Sequence, residues 1–492
     1  MRVRGDEGTR RLAGGPERRP ADGAGSGTVD GGLSAAIACR PARRPNGRPP
    51  VAARLAEAAA AGLAAAIGTF AARDPVQAAT LACGAAVVPA ALLAPAWAAG
   101  AIVAATAVSV QIVFPEAVLF GLELLALQKL VMLVFIAAVM LRYGIVWFRL
   151  LPVAVLAVSF ALTWLWGKPD PMLAAADSGK ALLGLAAPLA ILAVRWPERV
   201  AVGMIRTVMA LPAVCLAAGA MLEAADLHPV VMQEFTGAPR LQGASIPAHL
   251  AFLAFTGFAA AVLEWKRKPR RGALLYAMMA INFLILLLTG TRGPLIALVP
   301  LLLVFLTDLA RQFAKGRSGL AVPLAGLSGL IALSVIRQWD LLLKRSFSRL
   351  SSAGIDLSGR EKAWLFFLER AKESPWLGKG LGAVLFANDG TLHAGFAVPH
   401  NEYIRFYYDA GIVGAVLLFA ALLAVLLGAA GGLPAGGKAY WFALTAGFLL
   451  YSASDNTLST LQFTVPFCTL AGAYSIRPGP ARPGRKEAVH HE

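Results

Sequence analysis

Charge is what this chain has least of. Only 15% of its 492 residues are Asp, Glu, Lys or Arg, while 58% are hydrophobic. With a mean hydropathy of +0.66, that balance excludes an ordinary soluble domain. Acidic residues are the scarcer kind, 28 against 45 Lys and Arg. No Asp-x-Asp pair or acidic cluster offers a hard oxygen cage for a divalent ion, so no metal and no cofactor is expected. Four cysteines, Cys39, Cys83, Cys215 and Cys468, are scattered and match neither a disulfide framework nor a zinc site. The net charge of +17 does not form an interleaved basic and aromatic stripe, which argues against a nucleic-acid partner. The N-terminus lacks the charged region, apolar core and cleavage site of a signal peptide.

What is present is a series of apolar runs, most of them of roughly 17 to 25 residues, long enough as helix to cross a bilayer core of about 30 Å. Spans are expected near Ala78–Phe114 (one long or two short), Val118–Leu141, Trp147–Trp166, Ala181–Val194, Ala201–Leu222 and Ala248–Leu263. Others fall near Ala273–Leu288, Pro294–Leu309, Leu320–Ile336, Ile412–Leu427, Tyr440–Tyr451 and Leu458–Tyr474. The Ala-rich Leu55–Phe70 is a further span or an interfacial helix. The fold expected is an all-α, polytopic transmembrane bundle of about 12 spans, 14 at most. Abundant Ala and Gly within the runs suits close helix packing in lipid.

The chain divides into a basic, disordered tail (1–50), N-terminal spans (51–336), a large loop with an amphipathic helix (337–403), C-terminal spans (404–476) and a second basic tail (477–492). Arginine and lysine crowd every second connection: Arg142 to Arg149, Arg195 to Arg199, Lys266 to Arg271, and Arg311 to Arg317. The positive-inside rule makes these cytoplasmic. Arg240, Arg292 and the loop ending at His400 then share the outer face. In that loop, Ser358-Gly359-Arg360-Glu361 reads as a capping box. The helix it opens carries Trp364, Phe367, Leu368 and Ala371 on one face, and Ser374-Pro375 ends it. The glycine-spaced Trp376–Gly382 reads as a turn rather than a phosphate cradle, because no strand precedes it. A cation at a span end is commonly a snorkelling anchor. An imidazole and two guanidiniums at one boundary instead suit an anionic, lipid-linked substrate.

In order along the chain, several elements resemble the O-antigen ligase and O-antigen polymerase family. They are Arg240-Leu241-Gln242-Gly243 with Pro247, Leu288-Thr289-Gly290-Thr291-Arg292-Gly293, and Gly359-Arg360 with Trp364, Pro375 and Gly378–Gly382. The last are His400-Asn401-Glu402-Tyr403 and Asp409–Gly414. Ala248 departs from the pattern, since many members have Asn there. The resemblance implies an inverting glycosyltransferase in the bacterial inner membrane, active at the periplasmic face. It would move a glycan from undecaprenyl diphosphate to an acceptor hydroxyl, on lipid A-core for a ligase. The alternative in the same family is an O-antigen or exopolysaccharide polymerase. A transporter of an anion or lipid-linked sugar is the third reading, disfavoured because no repeat halves are visible. On this reading Arg292 and Arg240 hold the diphosphate with paired donors, and His400, whose imidazole has a reference pKa near ~6.5, is the general base. Arg360, Asn401, Tyr403 and Trp364 are candidates for substrate contact, and Asp455 for orienting His400. His393 on the same loop is the competing imidazole.

Overall fold

The computed structural model describes residues 74–119, 121–234, 238–267, 272–346, 360–388, 390, 392, 398–431, 433 and 435–475. The tail 1–50, Leu55–Phe70, Ser358 and Gly359, His393 and the tail 477–492 lie outside the described residues. Those described belong to one compact unit.

Helix dominates, as the apolar runs require. The helices are α1 (Pro75–Leu93), α2 (Pro95–Ala104), α3 (Val110–Val113), α4 (Leu124–Tyr143), α5 (Leu151–Trp166), α6 (Ala175–Ala190), α7 (Glu198–Ala224) and α8 (Pro247–Arg267). Then come α9 (Gly272–Leu288), α10 (Arg292–Ala314), α11 (Ala321–Ser346), α12 (Arg360–Ala371), α13 (Glu402–Ala430), α14 (Ala435–Ser452) and α15 (Leu461–Tyr474). Seven segments are long and apolar enough to cross a membrane, and four shorter apolar helices accompany them among the described residues. The polytopic helical fold is as expected; the count of about 12 spans exceeds the seven of full length.

Three local expectations are corrected. Val118–Leu119 and Leu122–Glu123 pair as a small hairpin, β1 and β2, before α4 begins. Gly121, at φ 73°, makes the turn that a helix start at Val118 would forbid. A second hairpin, β3 (Val231–Gln233) and β4 (Pro239–Leu241), places Arg240 on a strand instead of a plain loop. Finally, α11 runs past Ile336 to Ser346.

α8 is the central helix: 94% of its apolar window is buried inside the protein, against 22–56% for the other long spans. A helix apolar on every side belongs in the core. Its 21 residues separate two sets of polar groups by about 30 Å. At its C-terminal end Lys266 Nζ meets Asp308 Oδ2 at 2.6 Å, and Tyr440 OH donates to the same oxygen at 2.6 Å. The last turns of α8 and α10 and the start of α14 are thereby joined. At its N-terminal end gather the β3–β4 hairpin, the start of α10, the first residues of α13 and the link after α14.

α13 is two helices, not one. The Tyr403 and Phe419 rings lie 4.5 Å apart, whereas 16 residues of straight helix would separate them by about 24 Å. The chain doubles back at Gly411, whose φ of 67° and ψ of −179° are open only to glycine. The loop before α13 fills the break. The Ile412 amide donates to Pro375 O at 2.8 Å and the Val413 amide to Trp376 O at 3.3 Å. In return the Tyr408 and Asp409 carbonyls accept the Lys379 and Gly380 amides. The Asp409 carboxylate takes the Gly382 and Val384 amides at 3.0 and 2.9 Å. The glycine-spaced run is therefore a backbone clamp on the helix break. Gly378, Gly380 and Gly382 all have positive φ, and Gly378 lies against the backbone of residues 409–411 too closely for a Cβ.

Candidate active site

The turn from α9 to α10 carries Thr289, Gly290 and Thr291, and Arg292 opens α10. Arg240 reaches it from β4. Its Nε donates to Thr289 O at 2.8 Å, its Nη2 to Thr291 Oγ1 at 2.9 Å, and its Nη1 pairs with Glu234 Oε1 at 3.2 Å. Arg240 thus braces the turn that presents Arg292. Gly293 follows directly, and a Cβ there would strike the Tyr451 ring and come within 3.1 Å of Ser454 Oγ. The start of α10 is pressed onto the end of α14.

Asn401 caps α13, its side chain accepting the Tyr403 and Ile404 amides at 3.0 and 3.2 Å. Immediately before it His400 takes φ 47°, a left-handed turn uncommon outside glycine. That turn directs the ring to the α14–α15 link, where Nδ1 stands 3.2 Å from Asp455 Oδ1. A carboxylate only accepts, so the proton sits on Nδ1 and Nε2 is left as the acceptor. Asp455 Oδ2 receives the Tyr451 hydroxyl at 2.7 Å, and Oδ1 the Asn456 amide at 2.9 Å. Burial alone would raise the Asp455 carboxyl. The hydrogen bond and charge of His400, with the Tyr451 and Asn456 donors, hold it below the usual carboxylate range instead. It is an anion at neutral pH. His400 keeps 28% of its side chain exposed against 11% for Asp455, so the imidazole faces outward and the carboxylate sits behind it.

The other candidates support this dyad. Trp364 Nε1 donates to Pro399 O at 2.7 Å, tying α12 to the residue before His400. Tyr403 donates its hydroxyl to Leu449 O at 2.8 Å, anchoring α13 to α14. Arg360, at the start of α12, lies close enough for its charge to act on the Tyr451 hydroxyl.

One residue escapes sequence reasoning. His249 is in the first turn of α8, and its Nδ1 stands 2.8 Å from Ser109 Oγ and 3.1 Å from Ser245 Oγ, which also contact each other. It is within electrostatic reach of both Asp455 and His400, and its ring packs edge-on against Phe463. Its place two residues after Pro247, at the same end as Arg240, is the signal that could have found it. Among the described residues no group of three His, Cys, Asp or Glu stands together as a metal site would.

Residues 277–419 match a family model described as O-antigen ligase. The match runs from within α9 to the returning part of α13. It takes in Arg292, Arg360, Trp364, His400, Asn401 and Tyr403, and leaves Arg240 and Asp455 outside. No curated protein matches the chain. A guanidinium turn and an Asp–His dyad at one end of a helical membrane bundle, within and beside this segment, agree with the match, which supports a function of the O-antigen ligase and polymerase type.

Proposed function

We propose that the protein is an inverting O-antigen ligase that transfers a glycan from undecaprenyl diphosphate to an acceptor hydroxyl on lipid A-core, at the periplasmic face of the inner membrane. The observation that carries this reading is the His400–Asp455–Tyr451 chain, placed at the same end of the bundle as the turn bearing Arg292. The acceptor O–H approaches Nε2 of His400. Its oxygen attacks the anomeric carbon as the bond from that carbon to the diphosphate oxygen breaks. The electron pair leaves on the diphosphate, and the acceptor proton passes to Nε2. Asp455 then stabilises the imidazolium through Nδ1–H, as a buried carboxylate does for an acyl-transfer histidine. Arg292 meets the charge growing on the leaving diphosphate, the kind of preorganised electrostatics that is often the largest catalytic contribution. Arg240 adds its permanent charge from behind the turn while fixing the turn's shape. No metal step is included.

The test is transfer by purified protein from a defined undecaprenyl-diphosphate glycan to lipid A-core or to a second glycan, with product identified by mass spectrometry. His400→Ala should lower transfer by roughly 100- to 10,000-fold, the range of a lost general base, with membrane insertion unchanged. Chelation should leave the rate as it was. Normal turnover by the alanine variant removes the proposed base. Extension of the second glycan alone makes the protein a polymerase.

A further inference from the structure

Glu402 is a fully buried carboxylate that the transfer step does not use. It is two residues from His400, yet its Oε1 accepts the Leu458 amide at 3.0 Å. Leu458 lies on the short link that carries Asp455. The two segments holding the dyad therefore meet twice, once through His400 and Asp455 and once through Glu402 and Leu458. Arg405, one turn further along and itself buried, stands between two carboxylates, 3.8 Å from Glu402 Oε1 and 3.7 Å from Asp409 Oδ2. Asp409 in turn holds the glycine clamp. Arg405 thus lies between the two acidic side chains along one helix face. One ionic cluster thus fixes the first segment of α13 to the Asp455 link at one end and to the loop at the other.

We infer that Glu402 is a positioning residue for catalysis: its side-chain carbonyl oxygen pins the Asp455 link in register with His400, with Arg405 packed beside it. The inference rests on the proposed role of His400. A carboxylate shifted by about 1 Å would no longer meet Nδ1 in the reacting complex, a displacement worth on the order of 100-fold in rate. His400 is met by Asp455 from the α14–α15 link, with His249 of α8 in electrostatic reach; Tyr451 of α14 stands behind Asp455, Glu402 opens the helix that follows His400, and Arg292 of α10 and Arg360 of α12 stand at the same end of the bundle.

The experiment compares Glu402→Leu, Asp455→Asn and the double variant by glycan transfer across pH, with His400→Ala as reference and protein in membranes quantified. Glu402→Leu should lower kcat by roughly 10- to 100-fold with donor KM within about twofold. It should move the acid limb of the profile to lower pH, in the same direction as Asp455→Asn, since either change takes the Asp455 carboxylate from the imidazolium. The double variant should be no slower than the worse single one, because both break one unit. Glu402→Gln, which keeps a side-chain carbonyl for the Leu458 amide, should recover most of the rate. A lower rate with an unmoved limb, or losses that multiply, would overturn the inference and leave Glu402 a structural residue. If Glu402→Leu does not insert, Glu402→Asp, one methylene too short for Leu458, should give the same limb shift, and an unmoved limb there has the same meaning. Full activity in His400→Ala would instead sink the base assignment itself.

Discussion

Arg292 and Arg240 look alike in the sequence, each a lone arginine near a span end, yet the structure gives them different work. Arg240 spends its Nε, Nη1 and Nη2 donors on Thr289, Glu234 and Thr291. Arg292 opens a helix, α10, and the first amides of a helix are a setting that favours anions. The two residues should therefore fail differently. Arg292→Lys keeps the charge but loses the planar fork, so transfer should fall by on the order of 100-fold. Arg240→Lys cannot reach three acceptors on two segments, and should lower both the melting temperature in detergent and the donor affinity. Equal behaviour of the two in parallel transfer and melting assays would refute this division. His400 was legible because it stands next to Asn401 at the boundary of a span. Asp455 was nameable only as an acid at the right end of the bundle. Nothing in one sequence says that residues 55 positions apart share a hydrogen bond, and His249 was hidden for the same reason.

At the scale of elements, the break in α13 decides where His400 lies. Apolar periodicity places the span at Ile412, and the returning segment of residues 412–430 does begin there. The short helix before it, residues 402–410, is masked in the sequence by Asp409-Ala410-Gly411, which reads as a loop exit into the next span. Because Gly411 sends the chain back on itself, Tyr403 stands beside Phe419, and the dyad lies below the Gly411 vertex with the glycine clamp over it. This explains why the clamp carries three glycines with positive φ, Gly378, Gly380 and Gly382: it donates and accepts backbone bonds that the broken helix cannot make for itself. A side chain at Gly411 has neither the dihedral freedom nor the room, since its Cβ would meet the Trp376 carbonyl. Gly411→Ala should cost roughly 3 kcal/mol or more, by strain plus displacement of the clamp. Gly390→Ala, at φ 86° but with nothing among the described residues within 4 Å of an added Cβ, should cost about 1 kcal/mol, the strain alone. Thermal unfolding of both in detergent would check the contrast, and similar melting temperatures would show that the clamp is not holding the helix break.

For the whole molecule, the fold class was legible because bilayer-length apolar runs have few alternatives to helix. The helix count was less so: Pro95 divides the first run into α1 and α2, and the 17 residues of α9 fall short of a full crossing at 1.5 Å per residue. Charge alternation sorted the connections into two sets, and α8 separates those same sets in space, with Lys266 at one end and the dyad at the other. Only the sign of the orientation rests on the positive-inside rule, and that makes it testable by labelling. In a chain whose four cysteines are replaced by alanine, Lys372→Cys, exposed just after α12, should react with a membrane-impermeant maleimide in cells whose outer membrane is permeabilised. Arg317→Cys, exposed beyond the last turn of α10, should react only once the inner membrane is opened. The opposite pattern would put the dyad in the cytoplasm, where a lipid-linked glycan on the outer leaflet could not reach it. Labelling of both before lysis would mean that the two sets of connections are not on opposite sides, and that α8 does not make the crossing its length and composition allow.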